Sequence, residues 1–387
     1  MMSLPLFALA GMLLAPGDIV VPRGGGDVVQ GEITRLDEDG ILLRIPGEAE
    51  DEVVEVMLSW DRVADVRIAG PVQPRLPELM KNAETLWRAR SRLDRGDMAN
   101  AEPILELQFP GMVGRTSETA LVVSDGLLRC RLDRGANAEA LLPGLEMARL
   151  RRAGITTGSD ALRVPPVLSP EEVEGVVPVW DPEFNLLPYL PPVWLDGPGV
   201  ANARVELEEW SSEDDLLMST IAGLYQAGLE QDLGKDISPV DLQSDTISDE
   251  KGTMLLGLMI NAVHADPDVR KDARRRLQNR PANDPPWVEM WIRFQLGRSY
   301  LMEEGSGQRR KGQLNLAHVV ARSSQAQPYL AGVAMAIMAA EFESTGDLEA
   351  AERLRGDLAR STPRHPVLRT PALNPSRPGL GDGKENP

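Results

Sequence analysis

Arg92-Leu-Asp-Arg-Gly96, with Ala99-Asn-Ala-Glu102 behind it, recurs as Arg131-Leu-Asp-Arg-Gly135 with Ala136-Asn-Ala-Glu139. The copies lie 39 residues apart, and two residues are deleted after the second glycine. Basic residues closing an apolar-periodic run, then Gly, are the stop signal of a helix. A helix starting at Pro77-Glu78 carries Leu79, Ala83, Leu86, Ala89 and Leu93 at helical spacing, and a second runs from Ala101 to Phe109 before Pro110-Gly111. A third spans Ser117 to Leu132, with Leu121, Val122, Leu127 and Leu128 on its apolar side; a return helix spans Ala138 to Arg152. The repeat is therefore the hinge of an antiparallel helical hairpin, used twice within residues 78–154.

The same hinge returns near the other end. Gly346-Asp347-x-x-x-Ala351-Glu352 repeats Gly96-Asp97-x-x-x-Ala101-Glu102. Leu296-Gly297-x-x-Tyr300, with Gly305, Ala317 and Ala321 behind it, supplies a further hairpin. Additional helices are expected over Ser212 to Gln231, capped by Ser212, and over Gly252 to His264, Pro267 to Asn279 and Pro286 to Met302. Asp232 to Glu250 reads as a polar loop. Residues 211–366 form a second helical block, and 367–387 lack any core-forming pattern and read as a disordered tail.

These residues resemble the tetratricopeptide (TPR) repeat family, whose unit places Leu-Gly-x-x-Tyr on a first helix, Gly at the turn, Ala on the second helix and Pro near its end. Leu296, Gly297 and Tyr300 match the first helix, Gly96, Gly346, Ala101 and Ala351 the turn and second helix, and Pro363 the terminal proline. Arg92 stands where the family has tyrosine. The resemblance implies a solenoid with a groove for a peptide or protein, and no catalysis.

Upstream of the helices the period changes to two. Ile19-Val-Val21, Val28-Val29, Glu32 to Leu36, Ile41 to Ile45 and Val53 to Leu58 are short strand-like runs, and Asp39-Gly40 between two of them is a hairpin signal. With Trp60, Val63, Val66 and Ile68 they predict a small curled barrel over 18–70, SH3-like or Sm-like. Gly31-x-Ile33-x-x-Leu36-Asp37 followed by Ile41-x-Leu43 is similar to the first motif of Sm-like barrels, which implies RNA binding. Residues 27–70, however, hold twelve acids against four arginines, a surface that repels phosphate. Asp37-Glu-Asp-Gly40 is a turn and no calcium loop, because Arg35 sits where the first acidic ligand belongs. Pro71 to Pro77 reads as a linker. The expected fold class is α+β: an antiparallel barrel, then all-α TPR-like hairpin blocks.

Residues 155–210 fit neither pattern. Nine prolines, including Pro165-Pro166 and Pro191-Pro192, argue against regular helix, and Trp180, Trp194 and Trp210 argue against simple disorder. The stretch from Trp180 to Trp194 is expected to wrap a helical surface as an ordered extended chain; a mobile linker with a partner motif is the alternative.

Of 387 residues, 59 are acidic and 41 basic, and the net charge of −18 excludes nucleic acid or an anionic membrane as the main partner. One cysteine excludes a disulfide framework. Acidic residues 205–250 and basic residues 270–311 are expected to pair internally, a binding patch for an acidic partner on 270–311 being the alternative. Leu4 to Ala15 is an uncharged apolar run too short to span a bilayer, and it suits a signal peptide over 1–15 although no base precedes it. The chain is thus expected to be exported, periplasmic or envelope-associated, otherwise cytoplasmic, with no transmembrane helix.

Chemistry-bearing motifs are scarce. Gly305-Ser-Gly-Gln-Arg-Arg-Lys-Gly312 lacks the strand before it and the Lys-Ser/Thr after it that a phosphate loop needs. Cys130 lies among Leu127, Leu128 and Leu132, as a buried thiol would. His264, His318 and His365 have no neighbouring ligand types, so no metal, cofactor or catalytic residue is assigned, and the binding residues stay open. The expected function is a non-enzymatic scaffold holding a protein or peptide partner, with an envelope complex as its setting. The alternative is an accessory or ligand-binding subunit of an enzyme, in which Trp180, Tyr189 and Trp194 line one concavity.

Overall fold

The computed structural model describes residues 17–47, 52–71, 73–156, 178–194, 198–210, 215–281 and 283–370. The run expected to be a signal peptide, residues 371–387 of the expected tail and Ser212 lie outside them, whereas residues 367–370 of that tail are ordered, with Val367 buried in a 3-10 turn, Pro366–Arg369. Strands β1 (Asp18–Pro22), β2 (Val29–Asp37), β3 (Gly40–Pro46), β4 (Val53–Leu58) and β5 (Val63–Arg67) form one antiparallel sheet in the order β4-β3-β2-β1-β5. The Asp39-Gly40 turn joins β2 to β3, pairing Asp37 with Gly40.

β2 is long enough to serve two partners. Its first residues pair with β1 and its remainder with β3, and the register slips between Ile33 and Arg35. Gly31 sits where the strand changes partner, and a Cβ there would lie 2.4 Å from the Arg44 carbonyl oxygen. Only glycine allows that approach.

The expected closed barrel is corrected by this sheet, which is open with β4 and β5 as its two edges. Instead of pairing with β5, β4 leads into a 3-10 turn, Trp60–Arg62, that turns toward the helices. Trp60 is buried; its indole N–H donates to the Asp37 carbonyl at 2.6 Å and its backbone N–H to Thr119 Oγ1 at 3.2 Å. Thr119 in turn donates to the Asp39 carbonyl at 2.8 Å. Arg90 pairs with the buried Asp61 at 2.9 Å, and Arg23 with Glu84 at 2.7 Å. Helices cover what a barrel would have closed.

Helices α1 (Leu76–Leu93), α2 (Met98–Gln108), α3 (Glu118–Asp133) and α4 (Leu141–Arg152) pack each against the next, as do α10 (Pro286–Leu301), α11 (Ser306–Ser323), α12 (Pro328–Ser344) and α13 (Leu348–Ser361). Between these runs lie α5 (Pro198–Glu209), α6 (Leu216–Asp232), the short α7 (Asp245–Ser248), α8 (Lys251–Ala262) and α9 (Pro267–Gln278). One hydrophobic core runs from Val20 in the sheet to Met338 in α12.

The repeated hinge has one backbone structure in its three copies, and Gly154 and Gly234 end their helices in the same way. Gly96, Gly135 and Gly346 have φ of +73°, +75° and +88°, the left-handed conformation that ends a helix. In each, the residue after the glycine donates to the carbonyl five positions back: Asp97 to Arg92, Ala136 to Arg131, Asp347 to Phe342. Arg92 and Arg131 each donate to a carbonyl eight residues on, at Asn100 on α2 (2.7 Å) and at Glu139 in the turn before α4 (2.5 Å). Ala101 and Ala351 are fully buried. Gly297 and Gly312 face one another across α10 and α11, where either Cβ would meet the other's carbonyl at 3.2 Å or less.

Two helix boundaries differ from expectation. α6 begins after Asp215, whose carboxylate accepts from the Met218 N–H at 3.1 Å, so the cap is Asp215 and not Ser212. α5 is a helix inside the stretch whose prolines were expected to exclude one. The prolines stop at Pro198, a residue tolerated in a first turn, and buried Val200, Ala203, Leu207 and Trp210 then follow at helical spacing.

The two charged stretches do not pair as a whole. Arg270 and Arg274, one turn apart on α9, both face Glu303 beyond α10 at 3.1 and 2.7 Å, within the basic stretch itself. Arg270 also donates to the carbonyls of His264 and Ala265. Among the described residues, Arg298–Asp232 at 2.7 Å is the one ion pair joining the two stretches. The packing of α9 on α10 brings Arg270 and Arg274 to Glu303.

Candidate functional site

Residues 178–194 are ordered among the helices and mostly buried, but they are not the extended chain expected. Asp181 and Leu186 bridge across a turn in which Asn185 is left-handed (φ +55°), and a second turn joins Leu187 to Leu190. The prolines that prevent helix also remove N–H donors, so this chain presents carbonyls that need partners once out of water. Side chains from separate elements supply them. Trp291 Nε1 on α10 donates to the Pro188 carbonyl at 3.1 Å, and Gln327 Nε2 before α12 to the same oxygen at 3.3 Å. Tyr225 Oη on α6 donates to Leu190 at 2.9 Å, Tyr329 Oη on α12 to Val193 at 2.9 Å, and Asn137 Nδ2 in the α3–α4 turn to Tyr189 at 3.2 Å. Asp181 folds back to accept from the Glu183 and Phe184 N–H groups, and its other oxygen accepts from Trp287 Nε1 at 2.9 Å. Phe184, Trp287 and Trp291 meet edge to face, with centroids 5.3 and 4.9 Å apart.

Beside this segment a cavity of about 260 Å³ remains open on one side. Pro188, Tyr189 and Pro191 form one wall; the α3–α4 hinge, the start of α12 and residues Thr362–Pro366 form the others. His365 is buried there, stacked on Tyr329 with centroids 5.4 Å apart and planes 18° from parallel. Its Nδ1 accepts from the Val367 N–H at 3.2 Å, so Nε2 carries the proton and donates to the Tyr329 carbonyl at 2.8 Å. Burial holds the imidazole below its ordinary pKa, opposed by that carbonyl, and burial raises the Tyr189 phenol. Tyr189 lines the cavity, but Trp180 and Trp194 do not; Trp194 packs instead on Tyr225, 5.9 Å between centroids. The three-residue concavity is therefore not formed.

The remaining sequence candidates are placed as follows. Cys130 is buried, and desolvation, with Glu102 and Asp133 nearby, pushes its thiol up to about 12. A thiol so protonated is no nucleophile. His264 ends α8, accepting from the Asp266 N–H at 3.0 Å and donating to the Ile237 carbonyl at 2.9 Å. His318 on α11 lies 4.0 Å from Glu289 beside a second cavity, of about 460 Å³, that Arg322 also lines; desolvation, then Arg293, lowers its pKa. Gly305, at φ +101°, is the entry to α11, an inter-helix turn. Among the described residues no cluster of three or more His, Cys, Asp or Glu is placed to hold a metal, and no helix is long and apolar enough to cross a membrane.

Sequence reading missed Asn137, Tyr225, Trp291, Gln327 and Tyr329 as one set. Trp287 and Trp291, four apart on α10, were the visible signal of an aromatic face; the others carry no local mark of their role. Comparison of the chain with protein-family models, curated proteins and solved structures returned no match.

Proposed function

We propose that this protein is a non-enzymatic scaffold whose helical hairpins hold a protein or peptide partner. The observation that carries the reading is the packing of residues 178–194. Side-chain donors on Asn137, Tyr225, Trp291, Gln327 and Tyr329 hold the backbone carbonyls of a buried, proline-rich, non-helical segment, which supports the reading that these helices can hold a non-helical chain of a partner in the same way. The shared Gly96, Gly135 and Gly346 hinges and buried Ala101 and Ala351 support TPR-like hairpins as the framework. The apolar run Leu4 to Ala15 supports an exported, envelope-associated setting.

The test is affinity capture from the native host, followed by reconstitution of each captured protein with purified full-length chain. A stoichiometric complex between purified components is expected. Capture that yields no direct binder, or a turnover assay that yields an activity, overturns the reading. An accessory, ligand-binding role is a second reading, favoured by the cavity beside Pro188, Tyr189 and Pro191.

A further inference from the structure

The two edges of the sheet differ. β5 packs on α1, whereas β4 packs chiefly on β3, and no strand among the described residues pairs with its other side. The ladder fixes which backbone groups face that side. The Gly47 N–H donates to the Glu52 carbonyl at 2.7 Å, so in this antiparallel register Val54, Val56 and Leu58 exchange hydrogen bonds with β3. The N–H and C=O groups of Val53, Glu55 and Met57 then point away from the sheet, at the spacing another β-strand pairs with.

Edge strands are ordinarily blunted by lysine, proline, a bulge or brevity. β4 has six residues, Val-Val-Glu-Val-Met-Leu, with no lysine or proline, and its register on β3 runs without a slip. Val53 is 63% exposed. The single charge in the strand belongs to a row that crosses the sheet. Glu32 on β2 stands opposite Arg44 on β3, and Arg44 opposite Glu55 on β4, with 2.9 Å between Arg44 Nε and Glu55 Oε1. The charges alternate negative, positive, negative, so a positive residue continues the row. Opposite charges directly across a ladder attract, and like charges repel. The same rule disfavours a second copy of this chain, because two β4 strands paired antiparallel through Val53, Glu55 and Met57 set Glu55 against Glu55.

We propose that the β4 edge is a docking site for an extended segment of a partner protein, which adds a strand to the sheet and places a lysine or arginine opposite Glu55. Main-chain hydrogen bonds to Val53, Glu55 and Met57 hold the segment, and the charge row selects it. Apolar residues two positions to either side of the basic one meet Val53 and Met57. This surface lies on the sheet, so the proposal stands apart from what the helical hairpins hold.

The probe is the peptide acetyl-Thr-Val-Thr-Lys-Thr-Val-Thr-amide. A second peptide carries Glu in place of Lys, and a third is N-methylated at the Lys nitrogen. Water exchange of single amides is read by NMR on 15N-labelled full-length protein at millimolar peptide. In the free protein the Val53, Glu55 and Met57 amides are expected to exchange fast, and those of Val54, Val56 and Leu58 slowly. The lysine probe is expected to slow the first three. The glutamate probe should bind about threefold to tenfold more weakly, and the N-methyl probe, lacking the donor that faces Glu55, should give no protection. Glu55→Lys reverses the preference between the first two probes. Met57→Pro removes an outward N–H while leaving the bonds to β3, so it abolishes protection, and slow Val54 and Val56 amides report that the strand is intact. Equal protection by the lysine and glutamate probes, or none by either, overturns the proposal. Protection already present in the free protein also overturns it: if it rises with protein concentration the edge belongs to a second copy, and if it does not, to another part of this chain. Each of these outcomes leaves the scaffold reading to its own reconstitution test.

Discussion

Tyr225→Phe removes one oxygen atom from the centre of the molecule and tests whether the connector is held as described. Tyr225 is fully buried on α6, and its hydroxyl donates to the Leu190 carbonyl at 2.9 Å; Leu190 is fully buried as well. Phenylalanine keeps the ring and its packing on Trp194, so the change isolates the hydrogen bond. Leaving the Leu190 oxygen buried and unpaired should cost about 1–3 kcal/mol, more than the net worth of an average hydrogen bond, because water does not reach the orphaned acceptor. At about 2.1 cal/mol/K of unfolding entropy per residue, a chain of this length has on the order of 0.8 kcal/mol/K, so the melting temperature should fall by about 1–4 °C. Calorimetry reads that shift. Hydrogen exchange gives the local half of the assay: the Trp194 N–H, bonded to Asp232 at 2.8 Å, should exchange faster in the variant. Tyr329→Phe, which frees the Val193 carbonyl, should act on the same segment, and the double variant should cost less than the sum if the first loss already loosens the chain. Unchanged melting together with unchanged Trp194 exchange would refute the reasoning, since the Leu190 carbonyl would then have water or another partner.

Three further outcomes follow from packing and charge. Ala351→Trp, at a fully buried site in α13, should overpack the hairpin and cost about 1–3 kcal/mol or more, whereas Glu349→Trp, two residues away on the opposite, exposed face, should be near neutral in the same thermal melt. His365 has a pKa held below its ordinary value by burial, so the unfolded chain binds the proton more readily; its stabilising contribution is full above about pH 6.5 and is lost as the pH falls from there through the folded value. Urea unfolding between about pH 7.5 and 5 should therefore be steeper in pH for the native protein than for His365→Gln. Arg274→Met should cost about 1–3 kcal/mol in low and high salt alike, because Arg274 is buried on Glu303 and Ser299, while Arg275→Met, with its side chain 72% exposed, should change stability little.

The elements of this protein were legible in its residues. Leu79, Ala83, Leu86, Ala89 and Leu93 place α1, and all five are buried as their spacing requires. Arg92 to Gly96 and Arg131 to Gly135 mark a left-handed turn because only a residue without Cβ adopts that backbone readily, a constraint each copy carries within its own few positions. Asp39-Gly40 placed the β2–β3 turn for a similarly local reason. α5 was legible too, in Val200, Ala203 and Leu207, but the prolines before it drew the reading away.

Only the tertiary structure decided where these elements meet. A period-two pattern does not distinguish a sheet that closes on itself from one whose edges stay apart, because both bury alternate residues; the turn at Trp60, fastened to Thr119 on α3, opens the sheet toward the helices. A run of arginines on α9 has a net charge whatever it touches, and the helix packing settles that Arg274 meets Glu303 rather than the acids of residues 205–250. The same holds for the connector. Its carbonyls are held by residues between 35 positions away, at Tyr225, and 139 away, at Gln327. Such pairs leave no periodicity in the chain, since a buried carbonyl accepts equally from tryptophan, tyrosine, asparagine or glutamine. What selects the donor is which helix packing carries to that oxygen.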